Sequence, residues 1–364
     1  MKIAIAAGGT GGHIFPALSI ALALRKQSPS VSLVWFGTKR NREKELCDAN
    51  DIPVEFLSVS SSHRRISFRI VGALIQFGRE VFKAKRILST HEPDAVIAFG
   101  GYVSAPVLGA AILKRIPFFL HEQNTIPGFV NRIFARFAKV TFLGFPLVGN
   151  WKLAGELRVV GTPVRDIEGD YFDYPYPEGL DRIKKGVLIC GGSQGARSMN
   201  LTLIDAVRHW LENDIQVVWQ TGTAGYKEIC EALGNHKKAF LFESIEDLYP
   251  YYAMSKVVVG RSGASTLAEV AFFGLPCVMI PLPWSAENHQ WMNAGLVEAQ
   301  GWGIRVAQDD DTGVKVDEAV MQILTNQSVF ETMSRAALDN GLTNASKVIA
   351  KEVLSQMGNE RAEV

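Results

Sequence analysis

The stretch "KIAIAAGGTGGHIFPAL" (2–18) decides the fold. Its first half, Lys2 to Gly8, is an apolar run of strand length without polar alternation, as expected of a strand buried on both faces. Gly8, Gly9, Gly11 and Gly12 follow, and His13 closes the run. A helical pattern opens near Phe15-Pro16. Strand, glycine turn and helix start make up the unit from which doubly wound parallel sheets are built. Glycines let the main chain approach an anion, and the first N–H groups of a helix favour negative charge. The turn is therefore a candidate phosphate seat, with a plain tight turn as the alternative. It is neither of two common nucleotide loops. Counting G-x-G from Gly9 puts Ile14 where the dinucleotide fingerprint needs a glycine, and no Gly-Lys-Ser/Thr follows as in a P-loop.

The same device recurs outward from this point. Apolar runs of strand length lie at 31–37, 54–59, 94–101, 117–122 and 140–144, and again at 186–192, 215–222, 239–244, 256–263 and 276–281. Helical segments separate them, which predicts parallel sheets with right-handed crossovers in each half. The irregular stretch "GDYFDYPYPEGLDR" (169–182) reads as chain close to a domain junction. A length of 364 residues suits two domains. Two doubly wound domains facing each other would enclose a cleft at the carboxyl ends of their strands, where such sheets bind ligands. In the second half, "CGGSQGARSMN" (190–200) and "GRSGASTLAE" (260–269) repeat the strand–glycine–helix pattern. Three such junctions point to two anionic ligands, or two parts of a pair, one on each domain.

Composition narrows the chemistry. The chain is 47% hydrophobic and 21% charged, as in a folded globular protein. A net charge of +1 provides no global field for nucleic acid. Cys47, Cys190, Cys230 and Cys277 are far apart and form no C-x-x-C pair, so neither a zinc site nor a disulfide framework is expected. No charged leader precedes the first strand, and no apolar run reaches the ~18 residues of a bilayer span. A cytoplasmic protein is expected, free to lie on a membrane surface. No Asp-x-Asp motif is placed to hold a divalent ion against a diphosphate, so neither a metal nor another cofactor is expected.

Taken in order, "GGTGGH" (8–13), "FGGYVSAP" (99–106), "HEQN" (121–124), "GTPVR" (161–165), "GGSQGA" (191–196), "RSGASTLAE" (261–269), "GLP" (274–276) and "NHQWMNA" (288–294) resemble the motifs of the MurG family of peptidoglycan N-acetylglucosamine transferases. The resemblance runs through nearly the whole chain. One departure is Thr162, where the family most often has Asn; Arg165 is kept. The resemblance implies a GT-B fold, with an acceptor- and membrane-binding domain at 1–161, a UDP-GlcNAc-binding domain at 162–338, and a C-terminal helix at 339–364 packing back on the first domain. It implies inverting transfer of GlcNAc from UDP-GlcNAc to the C4 hydroxyl of undecaprenyl-diphospho-MurNAc-pentapeptide (lipid I), giving lipid II for the cell wall and for cell shape and division. The place implied is the cytoplasmic face of the inner membrane, held peripherally. The partners implied are UDP-GlcNAc, lipid I, an anionic membrane surface, and cell-wall synthesis and division proteins, with no nucleic acid. Other GT-B readings are a lipid or macrolide-type glycosyltransferase and a UDP-GlcNAc 2-epimerase. A non-catalytic nucleotide-sugar-binding subunit is a third class, though a pure binder has no need of residues from both halves.

Roles follow from the resemblance, residue by residue. Glu269 is expected on the ribose hydroxyls. Arg165, Ser193, Ser265 and Thr266 are donors to the UDP diphosphate. Ile245 reads the uracil edge through its backbone. His289, Gln290 and the Ala264 N–H take the GlcNAc hydroxyls, and Asn124 completes the sugar pocket from the other domain. Thr10, Gly11 and Gly12 border the donor. Gly9, Thr10, Gly12, His13 and Tyr102 take the acceptor diphosphate. A histidine suits general-base work on the acceptor hydroxyl. A nearby diphosphate would instead favour imidazolium and make His13 a binder, so base, binder and structural roles all stay open.

The segment 63–88 carries the membrane expectation. Read as a helix, Ile70, Val71, Leu74, Ile75, Val81, Phe82 and Leu88 form one stripe, with Arg69, Arg79, Lys83 and Arg86 on the other face and Arg64 and Arg65 just before it. Packing of the stripe on the sheet is the plain reading. Contact of Ile66, Phe68 or Phe77 with a bilayer interface, aided by the cations, is the functional one.

Overall fold

Residues that bury both faces of a strand leave it nothing to pack on but helices, and both halves of the chain obey this. The computed structural model describes residues 1–38, 43–59, 69–165, 173–184, 186–191, 196–342 and 344–362, with the backbone alone for 69–74, 286 and 359–362. Two compact units result: Met1–Asp166 with Thr343–Val364, and Ile167–Leu342. The divisions fall a few residues later than 161 and 338. Position 338 lies inside a helix, which a domain boundary does not cut.

The first unit runs β1 (Lys2–Ala6), α1 (Gly11–Gln27), β2 (Ser32–Gly37), α2 (Glu43–Asp48), β3 (Val54–Phe56), α3 (Arg69–His91), β4 (Ala95–Ala98), α4 (Gly101–Lys114), β5 (Phe118–Glu122), α5 (Phe129–Phe134), a 3₁₀ turn (Ala135–Phe137), β6 (Thr141–Leu143) and β7 (Leu157–Val159). The second runs β8 (Gly186–Cys190), α6 (Arg197–Thr202), α7 (Ile204–Glu212), β9 (Val217–Gln220), α8 (Thr223–Leu233), β10 (Ala239–Phe242), α9 (Tyr249–Ala253), β11 (Ser255–Gly260), α10 (Ala264–Phe272), β12 (Cys277–Met279), α11 (His289–Ala299), β13 (Gly303–Arg305), α12 (Thr312–Thr325) and α13 (Gln327–Asn340). The last helix, α14 (Ala345–Ala362), belongs to the first unit.

All strands pair in parallel, in the orders β3-β2-β1-β4-β5-β6-β7 and β10-β9-β8-β11-β12-β13. Two such Rossmann-like units in one chain constitute the GT-B fold. The order reverses between β1 and β4 and between β8 and β11, and a crevice opens at the carboxyl ends at each reversal. The three glycine turns singled out in the sequence follow β1, β8 and β11, and a fourth, Gly100-Gly101, follows β4. The edge strands β7 and β13 escape a reading by apolar runs, being only three residues each, and β7 is half exposed.

Two helices differ from the sequence reading. Helix α1 starts at Gly11, four residues before Phe15. Burial from Ile14 onward carries the helix and draws the poor helix formers Gly11 and Gly12 into its first turn. Helix α3 splits its expected stripe. Ala84 and Leu88 are fully buried and Val81 lies against Gly109 of α4, whereas Ile75 and Phe82 are 60% and 69% exposed. The spacing Val81, Ala84, Leu88 is the face that packs. Residues 64, 65, 66 and 68, and the side chains of 69, 70, 71 and 74, lie outside the described set.

Helix α14 closes the first core. Ile349, Ala350 and Val353 are fully buried in the cluster that holds Ile20 and Leu24 of α1, and Arg158 ion-pairs with Glu352 at 2.8 Å. Ile349→Ala is expected to destabilise this unit by ~2–4 kcal/mol. Faster exchange of the β1 amides, with the β8 amides unchanged, is the expected result; equal change in both would remove α14 from the first core.

Candidate active site

The turn after β1 shows how the sequence builds a site. Gly9 adopts φ +88°, a conformation that favours glycine. Thr10 is extended (φ −140°, ψ 154°) and caps α1. His13 and Ile14 give their N–H groups to the Thr10 carbonyl, so the N–H groups of Gly11 and Gly12 begin the helix ahead of any intrahelical acceptor. Thr10 Oγ1 lies 3.0 Å from His13 Nδ1. Across the strand reversal, Gly100 and Gly101 turn with φ +76° and +71° into α4. A Cβ on Gly101 would stand 3.4 Å from His13 Cε1, so the glycine leaves room for the ring. Tyr102, 54% exposed, follows in the first turn of α4. Thr10, Gly11, Gly12, His13 and Tyr102 are thus gathered between two helix N-termini.

The N–H of Gly9, a residue expected at the acceptor diphosphate, points inward to Glu43 Oε1 at 3.0 Å. Glu43 is fully buried and was not singled out in the sequence, where it reads as one more acid on a short charged helix. Burial raises its pKa, against hydrogen bonds from Gly9 and Thr38 that lower it.

Asn124 lies in the turn after β5. Its backbone N–H and its side-chain amide donate to Glu122 Oε1 at 3.0 and 3.3 Å. The other carboxylate oxygen accepts from Gly128 N at 2.8 Å and Asn131 Nδ2 at 2.7 Å. Glu122 is 2% exposed, and burial raises its pKa against these four bonds. His121 is fully buried, and burial pushes its imidazole down to about 4. It is neutral and donates from Nε2 to the Gly161 carbonyl at 3.1 Å. Both residues stand in the "HEQN" stretch, where only Asn124 received a role; the burial that makes the other two structural supports is not visible in a motif.

In the second unit, Ser193 and its glycine neighbours 192 and 195 lie outside the described residues. Gly191 shows how tightly the chain folds back here: its Cβ would come 2.6 Å from Ala196 Cβ. The turn after β11 is pinned from below. Arg261, 6% exposed, donates to the carbonyls of Ile280 and Pro281 at 2.8 and 3.2 Å, and burial pushes its pKa down to about 10. Ser262 Oγ donates to the Gln290 carbonyl at 2.8 Å. Helix α10 then starts at Ala264 with Gly263 as its cap. Ser265 Oγ is buried and, among the described residues, has no hydrogen-bond partner. Thr266 and Glu269 are half-buried. Glu269 Oε2 accepts from Tyr252 OH at 3.2 Å. Tyr252 is itself buried and stacks on Phe273 with centroids 5.4 Å apart.

The loop before α11 is anchored to the same place. Leu282 N–H donates to Gln290 Oε1 at 2.9 Å, so the Gln290 side chain is left with its amide donors for a ligand. His289 is the first residue of α11, after Glu287 and Asn288 at φ 52° and 59°. Two consecutive left-handed non-glycine residues cost ~1–3 kcal/mol each and mark a loop held by its surroundings. Ile245 is half-buried between β10 and α9. Ala264, Ser265, Thr266 and Glu269 therefore share one helix, with Gln290 tied to the turn before it. Arg165 is exposed, near the end of the first unit. One Asp-x-Asp spacing, passed over in the sequence, joins Asp309 and Asp311. It sits before α12, where Lys315 ion-pairs with both, at 2.8 and 3.8 Å.

This is a donor-rich helix start with an acceptor carboxylate in one unit, and a donor-rich helix start with an imidazole in the other. Residues 3–143 match the glycosyltransferase family 28 N-terminal domain and residues 186–353 its C-terminal domain. A protein of Desulfitobacterium hafniense (strain Y51) named UDP-N-acetylglucosamine--N-acetylmuramyl-(pentapeptide) pyrophosphoryl-undecaprenol N-acetylglucosamine transferase is 33% identical over 364 residues, covering 97% of this chain and 99% of its own. The protein of the same name from Bacillus subtilis (strain 168) is 32% identical over 355 residues, covering 95% and 97%. The crystal structure of Acinetobacter baumannii MurG superposes with a TM-score of 0.77 at 28% identity, covering 97% of this chain and 99% of that one. The chain belongs to the MurG family of glycosyltransferase family 28, the N-acetylglucosamine transferases of GT-B fold.

Proposed function

We propose that this protein transfers GlcNAc from UDP-GlcNAc to the C4 hydroxyl of undecaprenyl-diphospho-MurNAc-pentapeptide, with inversion, making lipid II from lipid I. The observation that carries the reading is the position of the glycine turns: they border the strand reversal in both sheets, where doubly wound folds bind ligands. The second unit takes the donor. Glu269 accepts the ribose hydroxyls, and the N–H groups at the start of α10, with Ser265 and Thr266, hold the diphosphate. Gln290 and His289 donate to the sugar. The same helix start stabilises the charge that develops on the departing UDP. The first unit takes the acceptor diphosphate on Gly11, Gly12, Thr10 and Tyr102.

His13 acts as the general base. Thr10 Oγ1 lies beside Nδ1 and its hydroxyl can accept from Nδ1–H, the tautomer whose Nε2 lone pair takes the acceptor proton. As the C4 oxygen bonds to the anomeric carbon, the bond from that carbon to the UDP oxygen breaks. Incubation with UDP-GlcNAc and a lipid I analogue, followed by mass spectrometry, tests the reaction. UDP release without an acceptor would mark an epimerase instead.

No helix among the described residues is long and apolar enough to cross a membrane. Approach to a lipid-bound acceptor then rests on a surface of the first unit. Ile75, Phe77 and Phe82 of α3, Ile112 and Leu113 of α4, and Phe129, Ile133 and Phe137 at α5 are exposed. Arg79, Arg86 and Arg136 are exposed near them in sequence. Helix α3 packs on α4 and α4 on α5. Apolar tips with cations around them suit a bilayer interface rich in anionic headgroups.

Three measurements follow. Glu269→Ala is expected to weaken UDP-GlcNAc binding by roughly 1.5–3 kcal/mol, the scale of charge-assisted hydrogen bonds; unchanged donor affinity in calorimetry would take Glu269 out of the site. His13→Ala is expected to lower kcat by ~10²–10⁴ with UDP binding intact, whereas a rise in acceptor KM alone would make His13 a phosphate ligand. Charge reversal at Arg79, Arg86 and Arg136 together is expected to lower binding to anionic vesicles at least ~10-fold, given about 1 kcal/mol per cation. Activity on a soluble short-tailed acceptor should persist, and undiminished vesicle binding would move the membrane face elsewhere.

A further inference from the structure

Glu43 has no part in the scheme above, yet its fully buried carboxylate lies directly beneath the β1–α1 turn. Oε1 accepts from Gly9 N at 3.0 Å and Thr38 Oγ1 at 2.9 Å, and Oε2 accepts from Thr38 N at 2.6 Å. Two glycines make the room. A Cβ on Gly8 would stand 3.0 Å from both carboxylate oxygens, and one on Gly37 would overlap Oε2. Among the described residues, nothing lies within 4 Å of where a Gly9 side chain would begin on the outer side of the turn. On the inner side, a carboxylate grips it. A carboxylate is the one side chain that presents two acceptor oxygens and no donor, which matches the donors arriving here from two different loops.

We propose that Glu43 is a positioning residue for the acceptor site: by drawing Gly9 inward and tying it to Thr38, it holds the turn in the shape that presents the Gly11 and Gly12 N–H groups to a diphosphate. This rests on the reading of that turn as the acceptor's phosphate seat. The geometry separates positioning from electrostatics. A negative charge beneath the turn opposes an anion bound above it. Removing the charge alone would therefore tighten acceptor binding, and removing the grip would weaken it. Glu43→Gln does both. Whichever way the amide is turned, its NH₂ meets Gly9 N–H or Thr38 N–H, donor against donor.

Steady-state kinetics of the full-length Glu43→Gln enzyme, with UDP-GlcNAc and a soluble short-tailed lipid I analogue, decide the matter. The expected result is a fall of about tenfold in kcat/KM for the acceptor, the scale of one buried hydrogen bond, with donor KM within about twofold. Thr38→Val removes only the hydroxyl donor and is expected to show the same acceptor-only loss at about threefold. Unchanged or improved acceptor kinetics in Glu43→Gln would overturn the proposal. So would a parallel loss of donor and acceptor parameters in both variants, which marks general damage to the fold. Gly12→Asp separates this proposal from the reading beneath it. It places a charge at the seat itself, in a first helical turn that tolerates an acid. If Gly12→Asp leaves acceptor KM unchanged, the seat is elsewhere; if it raises KM while Glu43→Gln has no effect, only the role of Glu43 falls.

Discussion

The main constraint on this molecule is that its strands are parallel and buried on both faces. Most strands are then followed by a crossover helix that begins beyond the strand's carboxyl end, β6 excepted, which runs to β7 without one. The unsatisfied N–H groups of those helices converge where the strand order reverses, between β1 and β4 in one sheet and between β8 and β11 in the other. Anion binding is thus a consequence of the architecture before any special residue is considered. Glycine at these junctions allows the backbone to come close, as at Gly9 and Gly101, where the chain turns through positive φ.

Around this scaffold, buried polar side chains fix the turns in place. Glu43 grips the turn after β1, Glu122 the turn after β5, and Arg261 the turn after β11. Each is almost fully buried, which is costly for a charged group, and each has backbone hydrogen-bond partners that offset that cost. Tyr252 does the same for Glu269 from within an aromatic cluster with Tyr249 and Phe273. The groups proposed to meet a ligand are a histidine, a glutamine and hydroxyls, and this buried layer lies beneath them. The neutral His121 belongs to it too.

Much of this was legible in the residues alone. Continuous Val-, Ile- and Phe-rich runs alternating with helices identified two parallel sheets, and the glycine junctions fall where the strand order reverses. The motifs from Gly8 to Ala294 carried the family. The three-residue edge strands β7 and β13 were not legible, because so short a run has no period and edge strands are only partly buried. Nor was the start of α1 at Gly11, since local propensity argues against glycine in a helix and tertiary burial of the next turn overrides it.

The sequence by itself determined the fold class, the division into two units, the family and the chemical types at the site. The tertiary structure decided which of those groups are spent on partners inside the fold. It turned the Gly9 N–H toward Glu43 and used the Gln290 side-chain oxygen on Leu282. It also turned Ile75 and Phe82 outward from α3. The physical reason is common to all of these. A hydrogen bond or a buried face is settled by partners that lie far along the chain, as Gly9 lies 34 residues from Glu43, and local sequence does not say which of several polar or apolar neighbours will be met.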